Sequence, residues 1–273
     1  MTGIDSTLRG RELGRRLRAA QQSAGLDGKR LAHLLGWSEA RVSRMFTGRH
    51  QVREVDVAAV LALCGVTGAP RERMLRLCQP HGVDGLLRLT VPQRWPALLA
   101  HAQDAVRVVE VHPALIPWLA QTPDYTRGLV PAEAAWPAQR AVVDFDLVDL
   151  RRVEFVLYEG ALRTLVDDPR VMFSQLSRLV RITTRPSVSL RVVPAGRAVL
   201  VAGYGPFTLL EYAGHRPVVY REEPAVGVFV DTDHEVRAYR AVLDHLNEVA
   251  LTPEDSHDLI VQIAAEFDAM PAI

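Results

Sequence analysis

A single lysine, Lys29, stands among 32 basic residues, so almost all positive charge is guanidinium. Cysteine is nearly as scarce. Cys64 and Cys78 alone cannot build a disulfide framework or a zinc site, and a reduced, cytoplasmic setting is expected. No apolar run reaches the ~18–20 residues that a membrane helix needs, so no membrane partner is expected. The stretch from Met1 to Arg11 is polar and lacks the ~7–15-residue apolar core of a secretory leader. Low-complexity tracts and clear internal repeats are also missing, which argues against disordered and solenoid architectures.

What remains is an ordinary globular composition, 48% apolar and 23% charged. The 273 residues are enough for about two domains. The formal net charge of zero hides an asymmetry. Residues 1–80 carry 14 Lys+Arg against 7 Asp+Glu, a balance of +7, and residues 81–273 carry 18 against 25, a balance of −7. A basic first third on an acidic remainder points to nucleic acid or an acidic partner for that third alone.

Within the basic third, Leu13, Leu17, Ala20 and Ala24 fall at helical spacing between Arg11 and Gly25. Asp27 can cap a second helix with Leu31, Leu34 and Leu35 on its apolar face, and Gly36 can end it. Ser38 can cap a third, with Val42 and Met45 inward and Gly48 as its stop. A fourth runs through Val57, Val60, Leu61 and Leu63 to Gly65, and a fifth covers Arg71 to Cys78. The spacing predicts an all-α helix-turn-helix domain over 1–80, with the motif at about 27–47. Cys64 and Cys78 are expected as buried thiols. Gln79-Pro80, Gly82, Gly85, Pro92 and Pro96 mark 81–96 as a linker.

The remainder, 97–273, reads as an α+β domain with a mostly antiparallel sheet of about five strands. A helical pattern covers Trp95 to Val108. Prolines break up the apolar stretch 112–127. Further helices are expected over Ala132–Arg151 and Arg170–Thr184, and two close the chain at about 233–249 and 253–267. Strands are expected at Val153–Tyr158, Val188–Val193, Pro206–Tyr212, Val218–Glu222 and Val226–Val230. Thr252, Pro253, Glu254 and Asp255 form a hydroxyl cap, a first-position proline and first-turn acids for the last helix.

The string L-D-G-K-R-L-A-H-L-L-G-W-S-E-A-R-V-S-R-M-F-T-G-R, from Leu26 to Arg49, resembles the phage-repressor/Cro-like (XRE) family. The matching positions are Leu31-Ala32, Leu35-Gly36, Ser38, Val42-Ser43-Arg44 and Thr47-Gly48-Arg49. The resemblance implies double-stranded DNA as partner, binding as a homodimer, and a third helix that enters the major groove. By position in that motif, Glu39, Ala40 and Arg44 face the bases. Arg44 suits guanine, Glu39 cytosine N4, and Ala40 a thymine methyl. Lys29, Arg30, Arg41, Ser43, Thr47 and Arg49 fall on the phosphate side. The chain departs from the family at Asp27-Gly28, where Thr-Gln is usual, at Glu39, where Gln is common, and at Phe46, where Glu is common.

The segment P-A-L-I-P-W-L-A-Q-T-P-D-Y-T-R, residues 113–127, resembles the WhiJ-like, antitoxin-like regulators of actinobacteria. Tyr158-Glu159-Gly160-Ala161-Leu162, Val193-Pro194, Gly205 to Glu211, Val219 to Glu222, Val236 to Arg240 and Ala250 to Ser256 follow in the same order. With the N-terminal motif, the resemblance covers about residues 9–265. It implies a DNA-binding transcriptional regulator, often encoded beside a small toxin-like partner protein. Here Trp118 replaces a usual glycine, and Asp144, Asp146 and Asp149 stand in a helix that is usually arginine-rich.

No catalytic set emerges, so an enzyme is not expected. Ser256, His257 and Asp258 are sequence neighbours and read as a capping region. Gly203-Tyr204-Gly205-Pro206 is followed by a strand pattern, so it is no dinucleotide fingerprint. The nine histidines lack metal-ligand spacing, as the pairs His101/His112 and His245/His257 illustrate, and no cofactor or metal is expected. Trp95, Trp118, Tyr125, Trp136, Tyr158, Tyr204 and Tyr220 are aromatic material for a cavity. The candidate ligand or partner pocket is Trp118, Tyr125, Tyr158, Glu159, Tyr220 and Glu222. Three functions are therefore carried forward. The first is a dimeric DNA-binding regulator with a sensing or partner-binding domain. The second is an antitoxin-like module that neutralises a small partner protein. The third is a small-molecule-responsive regulator.

Overall fold

A computed structural model describes residues 7–48, 52–78, 85–90, 93–129, 151–197, 204–223 and 226–271. Several expectations lie outside them: Arg49, Pro80, Gly82, Pro92, Gly203, and the helix over Ala132–Arg151 save its last residue, with Trp136, Asp144, Asp146 and Asp149. The chain gathers into two compact units. One comprises Met1–Arg88, Gly214–Val218 and Phe229–Asp233, and the other Leu89–Ala213, Val219–Val228 and His234–Ile273.

The first unit holds five helices, α1 (Leu8–Ser23), α2 (Gly28–Leu35), α3 (Glu39–Phe46), α4 (Glu54–Leu63) and α5 (Gly68–Arg76). Local chemistry sets their ends. The Thr7 hydroxyl accepts from Gly10 N at 3.1 Å, so α1 starts three residues before the expected Arg11. Asp231 Oδ2 takes a second free N–H of that turn, Leu8 N, at 3.0 Å. The Asp27 carboxylate accepts from Arg30 N at 2.6 Å, and the Ser38 hydroxyl from Arg41 N at 3.3 Å. Gly36, at φ +66°, makes the left-handed turn that ends α2. Leu13, Leu17, Leu31, Val42, Met45, Val57, Val60 and Leu61 form the core. Cys64 and Cys78 pack at its edge and are only partly buried, because each sits at the end of its helix.

Seven strands form one mixed sheet in the order β1–β7–β6–β5–β2–β3–β4. They are β1 (Leu86–Thr90), β2 (Arg107–His112), β3 (Val153–Tyr158), β4 (Val188–Val193), β5 (Phe207–Glu211), β6 (Val218–Glu222) and β7 (Val226–Val230). This corrects the expected five-strand, mostly antiparallel sheet. β2 pairs parallel with β3, as does β3 with β4, and β2 pairs antiparallel with β5, Glu110 lying opposite Phe155 and Thr208. Two strands were hidden. β1 lies in the Pro/Gly-rich run. β2 buries four successive residues, Val108 to Val111, so it lacks alternation and reads as more of the preceding helix. That helix, α6 (Arg94–Asp104), stops short of the expected Val108.

The short α7 (Pro123–Gly128) follows β2. α8 (Glu159–Arg163) and α9 (Pro169–Ile182) carry the crossover from β3 to β4, which parallel pairing requires. α10 (Asp233–Val249) lays Val236, Leu243 and Leu246 on Val109, Val111, Val156 and Leu209 of one sheet face. α11 (Pro253–Asp268), with the expected Thr252 cap, packs on α9 and β4. Ser256, beside His257 and Asp258, is structural. Its hydroxyl accepts from Val192 N at 2.9 Å and donates to Thr252 O at 2.7 Å. Leu251 N donates to Val192 O and Val188 N to Arg185 O, so these edge groups of β4 are satisfied off the sheet.

Candidate nucleic-acid interface and cavity

Packing decides which face of α3 is free. Val42, Met45 and Phe46 are buried in the core, which leaves Glu39, Ala40, Ser43 and Arg44 exposed on the opposite side. Lys29 and Arg30 are exposed at the start of α2. Arg41 is partly buried. Its guanidinium lies 4.0 Å from the Trp37 ring centroid, and Nη2 bonds Asp56 Oδ2 at 3.0 Å. Burial works against the Asp56 carboxylate, but Arg53 and Arg41 hold its carboxyl below the usual range. Thr47 Oγ1 donates to the carbonyls of Ser43 and Arg44 at 3.0 and 3.2 Å. Glu12 is fully buried, and Arg15 and Arg16 grip it at 2.7 and 2.6 Å, so part of the basic excess is internally paired.

Sequence reasoning missed how α3 is held. α1 crosses it main chain to main chain. A Cβ on Gly14 would lie 2.6 Å from the Phe46 carbonyl carbon and nearer still to its oxygen. One on Gly48, at φ +68°, would lie 2.5 Å from Gly10 C and 2.6 Å from Arg11 N. Glycine at 14 and 48 is what permits the approach.

The second unit holds a cavity of about 420 Å³ with mostly apolar walls. Its lining includes Arg94, His112, Pro113, Ala114, Leu115, Trp118, Phe207, Thr208, Tyr220, Glu222 and Glu223. Of the six expected pocket residues, Trp118, Tyr220 and Glu222 meet here, and the other three do not. Tyr125 is fully buried, and its hydroxyl accepts from Ile116 N at 3.2 Å. Tyr158 donates to Ala195 O at 3.3 Å. Glu159 pairs with Arg163 at 2.8 Å and accepts from Ala195 N at 3.0 Å. Those two contacts, Arg163 first, hold the Glu159 carboxyl below its ordinary value against a smaller opposing effect of burial.

Arg94 was missed because a cationic side chain in an apolar stretch gives no signal before its partner is known. It is almost wholly buried, with Nη2 on Glu222 Oε1 at 2.9 Å and Nη1 donating to Glu223 O at 2.7 Å. Trp95 meets Trp118 edge-on at 5.5 Å and Tyr220 at 6.5 Å. The Tyr220 ring lies over Gly227, where a Cβ would come within 2.7 Å of it and 2.8 Å of Arg94 Cβ. The Trp118 indole nitrogen is buried with no hydrogen-bond partner among the described residues.

The segment around Gln121 is internally bonded. Gln121 donates to Ile116 O at 2.7 Å, and Thr126 donates to Gln121 Oε1 at 3.0 Å. Gln175 accepts from Thr122 N at 2.7 Å and donates to Ala120 O at 2.8 Å. Glu110, fully buried on β2, accepts from Leu119 N at 3.2 Å. Its motif-like residues are therefore spent on holding irregular backbone.

Residues 12–74 match the model of a helix-turn-helix domain. Residues 95–262 match that of a domain of unknown function, DUF5753. The chain belongs to the DUF5753 family. No curated protein sequence matches this DUF5753 chain. Among solved structures it is similar to TrmBL2, an archaeal chromatin protein described as showing a novel mode of DNA binding. That similarity has 11% identity and a TM-score of 0.33, and it covers 66% of this chain and 58% of that one. The DUF5753 chain thus spans a little over half the length of that relative. Among its described residues no helix is long and apolar enough to cross a membrane, and no group of three or more His, Cys, Asp or Glu could hold a metal ion.

Proposed function

We propose that this chain is a sequence-specific DNA-binding transcriptional regulator of XRE type, acting as a dimer on an inverted repeat. The observation that carries the reading is the exposed face of α3. Glu39, Ala40, Ser43 and Arg44 stand free of a helix whose other side is anchored by Val42, Met45 and Phe46. An exposed, capped second helix of this kind fits the major groove. Arg44 reads guanine, Glu39 cytosine and Ala40 a thymine methyl. Lys29, Arg30, Ser43 and Thr47 meet phosphates, and Arg41 contributes with a charge already shared with Asp56. One eight-residue helix reaches few base pairs, so two heads on half-sites ~34 Å apart are needed for useful specificity.

The cavity supports a second element of the reading, regulation by a small molecule bound in the second unit. No reaction is assigned to it.

The test is selection of bound sites from random DNA with wild type and Arg44→Ala at two salt concentrations. An inverted repeat is expected from the wild type. The variant should lose ~1–3 kcal/mol and relax one base preference. Unchanged affinity and preference would overturn the assigned docking.

A further inference from the structure

We propose that the cavity of the second unit binds a small organic cation, an amine carried on a compact apolar or aromatic body. The proposal rests on reading that unit as an effector domain and adds the chemistry of the effector. A volume of about 420 Å³ with apolar walls suits a small, mostly hydrocarbon ligand. Charge selects its head group. Three charged residues line the cavity, Arg94, Glu222 and Glu223. The Arg94 guanidinium is buried and engaged by Glu222 Oε1 and Glu223 O, so it is not free to receive an anion. Glu223 is exposed, and its carboxylate has no ion pair or hydrogen bond among the described residues. Arg94, Glu222 and Glu223 together give the lining one net negative charge. An anion meets that charge unfavourably, and a cation neutralises it.

The aromatic wall adds to the same preference, since the faces of Trp118 and Tyr220 attract an ammonium through their ring quadrupoles. That wall exists before any ligand arrives. Tyr220 is seated over Gly227, and Trp95 buttresses both Tyr220 and Trp118. Binding therefore costs little side-chain ordering.

The test uses the full chain without DNA, so its failure leaves the DNA-binding reading untouched. Titration calorimetry compares 1-naphthylmethylamine, 1-naphthylmethanol and 1-naphthoate, which share one ring system and differ in charge. The amine should saturate one site per chain, the alcohol should bind about fivefold more weakly, and the acid should not bind. Glu223→Gln should cut the amine-to-alcohol ratio to the smaller part that the aromatic wall supplies, while leaving alcohol binding unchanged. Ala114→Trp, at an exposed lining position, should abolish binding of both while thermal unfolding stays cooperative. The proposal is overturned if none of the three binds saturably or the acid matches the amine. It is equally overturned if Glu223→Gln keeps the preference undiminished or Ala114→Trp binds like the wild type.

Discussion

The approach of α1 to α3 can be tested with one substitution made at two sites. Alanine at Gly14 and alanine at Gly28 add the same methyl group to a helix of the same unit. At Gly28 the new Cβ meets nothing within 4 Å, and at Gly14 it lands on the Phe46 peptide, 2.6 Å from its carbonyl carbon. Ordinary contact at that atom is about 3.4 Å or more, so the helices must part by roughly 1 Å. Neither partner is a flexible side-chain end that could swing away. Overpacking of this kind costs ~1–3 kcal/mol. Relief of the glycine's entropy cost returns ~0.5–1 kcal/mol at both sites. The expected balance is a loss of ~1–2 kcal/mol for Gly14→Ala and a gain of up to ~1 kcal/mol for Gly28→Ala. A domain of this size shifts ~4–8 °C per kcal/mol, so the two melting temperatures should move apart by about 5–20 °C. Circular dichroism melts of the full-length variants read this directly. Shifts of the same sign and size would refute the main-chain crossing.

Three further outcomes follow from the second unit and the thiols. Arg107 bridges Glu154 at 2.7 Å and Glu211 at 2.9 Å across β3, β2 and β5, with Arg152 and Arg240 as outer partners. Burial pushes both carboxyls up, but the arginines outweigh it and hold them below the ordinary glutamate value. Their stabilisation is therefore complete above an unfolded value of ~4.3 and is lost as pH falls through the lower folded value. Arg107→Met should cost ~1–3 kcal/mol in urea melts at pH 7, and progressively less as pH falls from ~4.3 through the lowered folded values. A loss that does not change with pH would sink the assignment. Gln175→Met leaves Thr122 N without its acceptor, while Ala120 O keeps Arg178 Nε at 3.2 Å, so a loss of ~1–3 kcal/mol is expected by thermal denaturation. Burial, with Glu54 adding and Arg9 opposing, pushes the Cys78 thiol up to about 11. Iodoacetamide labelling at pH 7.5, followed by mass spectrometry, should run roughly two orders of magnitude slower than for free cysteine.

The helical third was legible because its boundaries are local chemistry. Asp27 and Ser38 cap, and Gly36 and Gly48 turn, without help from distant residues. The sheet was less so. Periodicity reports burial on one face, and Val108 to Val111 are buried on both. Whether β2 and β3 run parallel is a matter of tertiary pairing, and no residue type encodes it. In the cavity, Trp118, Tyr220 and Glu222 were accessible from residue type alone. Tyr125 and Tyr158 were not separable from them, since an aromatic ring suits a core as well as a wall. Arg94 and Gly227 matter through partners far away in sequence, which no local pattern can show.

The β4 end of the sheet bears on assembly. Val188 N is turned to Arg185 O, and Val192 gives its N–H to Ser256 and its carbonyl to Leu251. An incoming strand would have to displace these bonds before it could pair at Val188 N or Val192, so β-augmentation is opposed at these positions. A second copy or a peptide segment cannot lengthen the sheet there at low cost. Any dimer that spaces two α3 helices on DNA must be joined through side-chain surfaces rather than through a shared ladder at β4.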